Sequence, residues 1–275
     1  MPFRLFLQIT MFSLLLVSHV QATDRVFLPV WNNVCGIGAK LALGCDEIRS
    51  REIVDAREKP WRAIGQVNYA GYQSRQHCTG TLISERHVLT AAHCLFNQSQ
   101  QKWIDAQKIH FVAGYQRGKS VGHSRAKSYV VSGVHDTKSN RFQLIPSEDW
   151  AVLELKNAIG IETGYIQLSS GFSPDSKKMV FIAGYPGVRR FVLTSDSSCG
   201  ELNSNRELKT YFHECATMLG DSGGPVMTVI DGQFVIVAVT SGITVVEGKT
   251  RSIATPVKNM DKTAIPKTSF DKSQH

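Results

Sequence analysis

Gly220-Asp221-Ser222-Gly223-Gly224-Pro225 is the stretch on which the reading of this chain turns. A serine set between small residues exposes its hydroxyl on a backbone free to turn tightly, and the glycines let another chain come close. Such a setting suits a nucleophile. The string Gly220-x-Ser222-x-Gly224 also fits the nucleophile elbow of an α/β-hydrolase, in which the acid and then the histidine follow the serine. After Ser222 the sequence offers only His275, at the end of a polar tail, so that arrangement lacks a usable base.

Upstream, Thr90-Ala91-Ala92-His93-Cys94 places a histidine directly after an apolar strand-like run, and Asp149-Trp150-Ala151-Val152-Leu153-Glu154-Leu155 places an aspartate at a strand mouth. The order His93, Asp149, Ser222 is that of the chymotrypsin template. Over residues 53–257 the chain resembles the trypsin/chymotrypsin-like serine peptidases. Phe181-Ile182-Ala183-Gly184-Tyr185-Pro186 and Cys215-Ala216-Thr217 are similar to the bacterial glutamyl-endopeptidase branch.

The resemblance implies a division of labour. His93 takes the proton of the Ser222 hydroxyl and later delivers it to the leaving amine, while Asp149 orients the imidazole and stabilises its cation. The backbone N–H groups of Gly220 and Ser222 receive the oxyanion. Six residues before the nucleophile the family places its pocket floor, here Ala216, so no acid is present to attract lysine or arginine. The branch's pocket-wall histidine aligns with Val239, which leaves a small or apolar side chain as the expected specificity, with Ala216, Thr217, Thr240, Ser241 and Gly242 lining the site.

Family zymogens are cut before an Ile-Val pair, and the freed amine pairs with the aspartate preceding the nucleophile. Arg51-Glu52-Ile53-Val54 and Asp221 supply the corresponding residues, so Ile53 and Asp221 are the expected switch. In place of the family's two following glycines stand Asp55 and Ala56, and the residue before the pair is the acidic Glu52. A catalytically idle trypsin-fold binding module is the alternative function, since fold does not fix activity.

Residues 1–22 carry one charge, Arg4, then an apolar run and the small-residue end Val20-Gln21-Ala22, which reads as a secretory signal peptide. The run is shorter than the ~20 residues of a spanning helix. Export to the extracellular space or periplasm favours three disulfides for the six cysteines. Fifteen connectivities are formally possible; proximity along the chain suggests Cys35 with Cys45, Cys78 with Cys94 and Cys199 with Cys215. The family staples the middle pair, a closure worth about 3 kcal/mol in the chain-entropy model. Zinc held by His77-Cys78 and His93-Cys94 would remove the general base and matches no common zinc spacing, so neither metal nor cofactor is expected.

The net charge is +8, but its lysines and arginines are scattered, without a stripe or interleaved aromatics. Nucleic acid is therefore not an expected partner. Protein or peptide substrates are, acted on by a monomer that is free of the membrane once the signal is removed. His77, His87, His110, His123, His135 and His213 fall in no motif and read as surface or packing residues.

Residues 23–52 show no sustained period and are either a propeptide or an attached extension. From Trp61 onward short β-like runs follow one another, at 61–67, 78–83, 87–92, 108–115, 126–135 and 149–155. A looser stretch intervenes, then runs at 178–185, 190–195, 210–216, 225–230, 233–242 and 251–257. Asp231-Gly232 between two apolar runs is the sharpest hairpin signal. The expected fold is all-β, with two antiparallel six-stranded barrels (about 53–160 and 175–257) and the active site in the cleft between them. Residues 258–275 form a polar tail expected to be disordered.

Overall fold

Alternation of buried and outward side chains builds the first half of the molecule. In the computed structural model, which describes residues 27–29, 35–36, 39–40, 44–70, 75–197, 199–246 and 249–270, six antiparallel strands close into a barrel. They are β1 (Ile64–Ala70), β2 (Arg75–Leu82), β3 (His87–Thr90), β4 (Ile109–Ala113), β5 (Gly122–Val131) and β6 (Ala151–Leu155), joined in the order β4-β5-β6-β3-β2-β1. Ile109, Phe111 and Ala113 of β4 point inward and are fully buried, as the period of two in a strand requires. Each run read from residues 61–155 overlaps one of these strands, β1 running three residues past its run and β2 starting three residues before its run. The fifth begins four residues early, because Gly122-His123-Ser124 carries no β-branched or aromatic signature and is drafted into the sheet by its pairing with β4.

The second half contributes β7 (Phe181–Gly184), β8 (Thr194–Asp196), β9 (Thr210–His213), β10 (Pro225–Ile230), β11 (Gln233–Val246) and β12 (Lys249–Pro256). They belong to a ten-stranded sheet in which β9, β12, β11, β10, β7 and β8 are successive neighbours. Short strands at Phe27–Pro29, Glu52–Ile53, Gln167–Leu168 and Asn203–Asn205 add to it. Asp231 and Gly232 both take positive φ, 49° and 76°, and close the β10–β11 hairpin with Ile230 opposite Gln233; two left-handed residues are what a two-residue type I′ connection demands.

The main core joins both halves, with Leu89, Leu153 and Phe111 from the barrel in one cluster with Tyr185, Met227 and Val239 from the second sheet. Three disulfides, Cys35–Cys45, Cys78–Cys94 and Cys199–Cys215, staple the chain.

Two segments are more integrated than their sequences suggest. A helix α1 (Cys45–Ser50) in the N-terminal segment buries Ile48 against Met218 and Ile243, directly beside the turn that carries Ser222. The polar tail is a correction: residues 258–270 are folded, with Met260 and Ile265 buried in the main core and Phe270 bridging to Leu168. Composition averaged over the tail hid three apolar anchors spaced along it, and these are enough to pin a segment that borders a large core. The signal peptide, residues 1–22, and the last residues, 271–275, lie outside the described residues.

Candidate functional site

Antiparallel pairing of β3 with β6 sets Ala151 opposite Thr90, so the end of β3 and the start of β6 lie side by side at one rim of the barrel. His93 follows β3 in a single 3-10 turn, Ala92–Leu95, and Asp149 precedes β6 after the turn Pro146–Glu148. The imidazole and the carboxylate meet there. A carboxylate only accepts, so the His93 ring donates from Nδ1 to Asp149 Oδ2 at 2.7 Å. The His93 backbone N–H donates to Oδ1 at 2.9 Å, and the Ser241 hydroxyl donates to Oδ2 at 2.5 Å.

Asp149 is wholly buried. Burial alone would raise its pKa, but the charge of His93 and the three donated hydrogen bonds together hold it below the ordinary carboxylate value. The group stays ionised where the imidazole works.

Ser222 comes from the other half, in the turn between β9 and β10. Its carbonyl accepts from the Thr79 N–H of β2 at 2.8 Å, and the Thr79 hydroxyl donates to the Gly220 carbonyl at 2.7 Å. The first barrel thus grips the nucleophile's turn from both sides of Asp221. Cys94 Sγ, fixed by its disulfide, lies 3.8 Å from His93 Nε2 and 3.8 Å from the Ser222 carbonyl oxygen. The Ser222 hydroxyl is buried and, among the described residues, has no hydrogen-bond partner. Gly220 holds φ at 102°, and a Cβ there would lie 2.3 Å from the Tyr185 carbonyl oxygen, so only glycine allows this approach.

The residues expected to line a substrate pocket are largely committed elsewhere. Ser241 is turned to Asp149, a role the sequence reading missed. Thr217 pairs its hydroxyl with that of Ser252 at 2.8 Å, and Ser252 donates to the Cys215 carbonyl. Thr240 is bound through its backbone to Gly223 and Gly224, and the Ala216 carbonyl accepts from Arg51. Gly242 begins the edge of β11 on which Phe27–Pro29 lies antiparallel, Pro29 opposite Gly242 and Phe27 opposite Thr244.

Ile53 and Asp221 are not brought together. Ile53 is 44% exposed and pairs with Thr194 of β8, whereas Asp221 is buried against the Arg51 guanidinium. A single arginine in an aperiodic segment gave no signal for this.

His213 of β9 lies in the same interior, and neither ring nitrogen has a hydrogen-bond partner among the described residues. Burial first, and the charge of Arg51 second, push its pKa down to about 3. The unfolded chain, with histidine near 6.5, therefore takes up the proton first. Stability is complete above that pH and declines as pH falls toward 3, by about 2 kcal/mol at pH 5. A His213→Leu variant is expected to show a smaller drop in melting temperature between pH 7.5 and pH 5 than the wild type; equal drops would place the acid sensitivity elsewhere.

A closed barrel that carries His93 bonded to a buried Asp149, joined to a second sheet that carries the glycine-flanked Ser222, has the layout of the two-unit serine peptidases. The trypsin family model matches residues 50–263. A trypsin of Simulium vittatum is 26% identical over 67% of this chain and 78% of its own length. A glutamyl endopeptidase of Bacillus licheniformis is 28% identical over 54% of this chain and 43% of that protein. Among solved structures, a Glu endopeptidase superposes with a TM-score of 0.59 at 21% identity, covering 75% of this chain and 90% of that one. The protease Anisep from Arthrobacter nicotinovorans gives 0.56 at 19% identity, covering 73% and 92%. The chain belongs to the trypsin family of serine-type endopeptidases, and its likeness to glutamyl endopeptidases runs through both comparisons.

Proposed function

We propose that the protein is an exported endopeptidase that hydrolyses peptide bonds through an acyl-enzyme on Ser222, with His93 as general base and then acid and Asp149 as the group that orients it. The observation that carries this reading is the buried Asp149 carboxylate with three donors upon it, one of them His93 Nδ1. With the Nδ1 proton fixed on that side, Nε2 is left with its lone pair, which is the tautomer able to take the serine proton. The relay needs the Ser222 hydroxyl within hydrogen-bond reach of Nε2, and such contacts are commonly loose before substrate binds.

Negative charge then develops on the substrate carbonyl. The amides of Gly220 and Ser222 have no acceptor among the described residues, and they flank the turn that would face that oxygen. The β11 edge from Gly242 to Thr244 holds the chain's own Phe27–Pro29 in antiparallel register, the geometry by which a peptide is held through its main chain, and a substrate takes that edge once this strand is displaced. With Ala216 rather than an acid six residues before the nucleophile, a small or apolar side chain is the favoured occupant of the pocket next to it. Export is supported by the apolar N-terminal run and the three disulfides. Among the described residues no helix is long and apolar enough to cross a membrane.

The unpartnered Ser222 hydroxyl is the observation that favours the second reading, an idle module that binds proteins without cutting them. Incubation with a fluorophosphonate separates the two. An activated serine forms one adduct, mapped by mass spectrometry to Ser222 and absent after denaturation; an unlabelled native protein would leave the binding module as the reading.

A further inference from the structure

We propose that Arg51 is a positioning residue that orders the nucleophile's turn in the uncut chain, so that no amine released before Ile53 is required. This rests on the peptidase reading above. The guanidinium is fully buried and forks onto Asp221, Nη1 to Oδ1 at 2.9 Å and Nη2 to Oδ2 at 3.1 Å. Nη2 also donates to the Ala216 carbonyl. Asp221 Oδ2 in turn accepts the Met218 N–H at 3.0 Å, and the Asp221 backbone closes turns with Met218 and Gly224. One planar cation therefore fixes both ends of the segment 216–221, whose last residues carry Gly220 and lead directly into Ser222. A bidentate arginine does this with directional bonds that a point charge lacks.

The arginine arrives already placed. Ile48 of α1 is buried against Met218 and Ile243, and the Cys35–Cys45 disulfide belongs to the same cluster. The Arg51 carbonyl accepts from Arg189 at 2.9 Å, and Glu52–Ile53 is zipped to Thr194–Ser195. For an Ile53 amine to reach Asp221, that strand pairing would have to open and a buried guanidinium would have to leave its carboxylate. Breaking such a pair leaves an uncompensated charge in the interior, so the segment from α1 to Ile53 behaves as part of the mature fold.

A guanidinium and an amine differ in one measurable respect. Arginine keeps its charge past pH 12, whereas an α-amine and a lysine lose theirs near 8 and 10. Among the described residues, His213 on β9 lies in the field of Arg51 and His77 on β2 in that of Asp221, each with a pKa that burial lowers, and Arg189 holds the Arg51 carbonyl. None of the histidines titrates on the alkaline side.

The test uses the full exported chain and the second-order rate of Ser222 labelling by a fluorophosphonate from pH 7 to 11. The wild type, with its N-terminus upstream of Arg51, should label at a rate that holds to about pH 10. Arg51→Lys should acquire a new alkaline fall as the ammonium deprotonates, and Arg51→Gln should label about 100-fold more slowly throughout. If the glutamine variant fails to fold, the lysine variant's new alkaline limb still decides. Arg51→Gln labelling at the wild-type rate overturns the proposal, as does a wild-type rate that falls above pH 9 with Ile53 as the N-terminal residue. No labelling of the wild type would instead remove the peptidase reading, so the two failures are distinct.

Discussion

An Asp149→Asn variant should fold as the wild type does and lose about 10⁴-fold in kcat. Three donors converge on this side chain, the His93 backbone N–H, His93 Nδ1 and the Ser241 hydroxyl. An amide of the same shape accepts on one oxygen and presents N–H on the other side. If the amide oxygen keeps the His93 backbone N–H, its NH₂ faces the ring, and Nδ1 must become an acceptor. The ring proton then moves to Nε2, which can no longer take the serine proton. The volume is unchanged, so the melting temperature should move far less than the rate. Since Asp149 is held below the ordinary carboxylate pKa, the wild type's acid limb is expected to belong to another group. A loss below ten-fold in Asp149→Asn, measured on a peptide ester, would mean that the aspartate does not set the imidazole's tautomer.

Gly223→Ala is expected to cost about 3–5 kcal/mol in folding stability, from left-handed strain and overpacking together, and with it most of the activity. The residue sits at φ 77°, and a Cβ would lie 2.1 Å from Thr90 Oγ1, 2.4 Å from the Thr79 carbonyl oxygen and 2.8 Å from the Ala91 nitrogen. Two of those three are backbone atoms of the first barrel. They cannot step aside without opening the contact between the halves, and Gly223 is held against the second sheet by donating to the Thr240 carbonyl at 2.8 Å. Gly118 provides the control. Its φ is 85° but nothing lies within 4 Å of its Cβ position, so Gly118→Ala should show only the strain, about 1–2 kcal/mol. Urea unfolding of both variants separates the terms, and equal losses would show that the crowding at Gly223 relaxes away.

Much of the architecture was legible because it is written in local chemistry. The twelve strand runs follow from alternation and from β-branched and aromatic residues, and the β10–β11 turn from Asp231-Gly232. The positions of His93 and Asp149 at strand ends could be read for the same reason. The tail was misread because Met260, Ile265 and Phe270 are too sparse to form a period, although the first two are buried and the third packs half-buried against the core.

Sequence alone determined the short alternating strands and the Asp231-Gly232 turn, because each depends on neighbours a few bonds away, and it displays the order of histidine, aspartate and serine outright. Tertiary structure alone decided who answers Asp221 and Asp149. Arg51 stands 170 positions from Asp221 and Ser241 stands 92 from Asp149. A buried carboxylate takes whichever donor packing carries to it, since desolvation and Coulomb attraction depend on distance in space. No pattern along the chain encodes that distance.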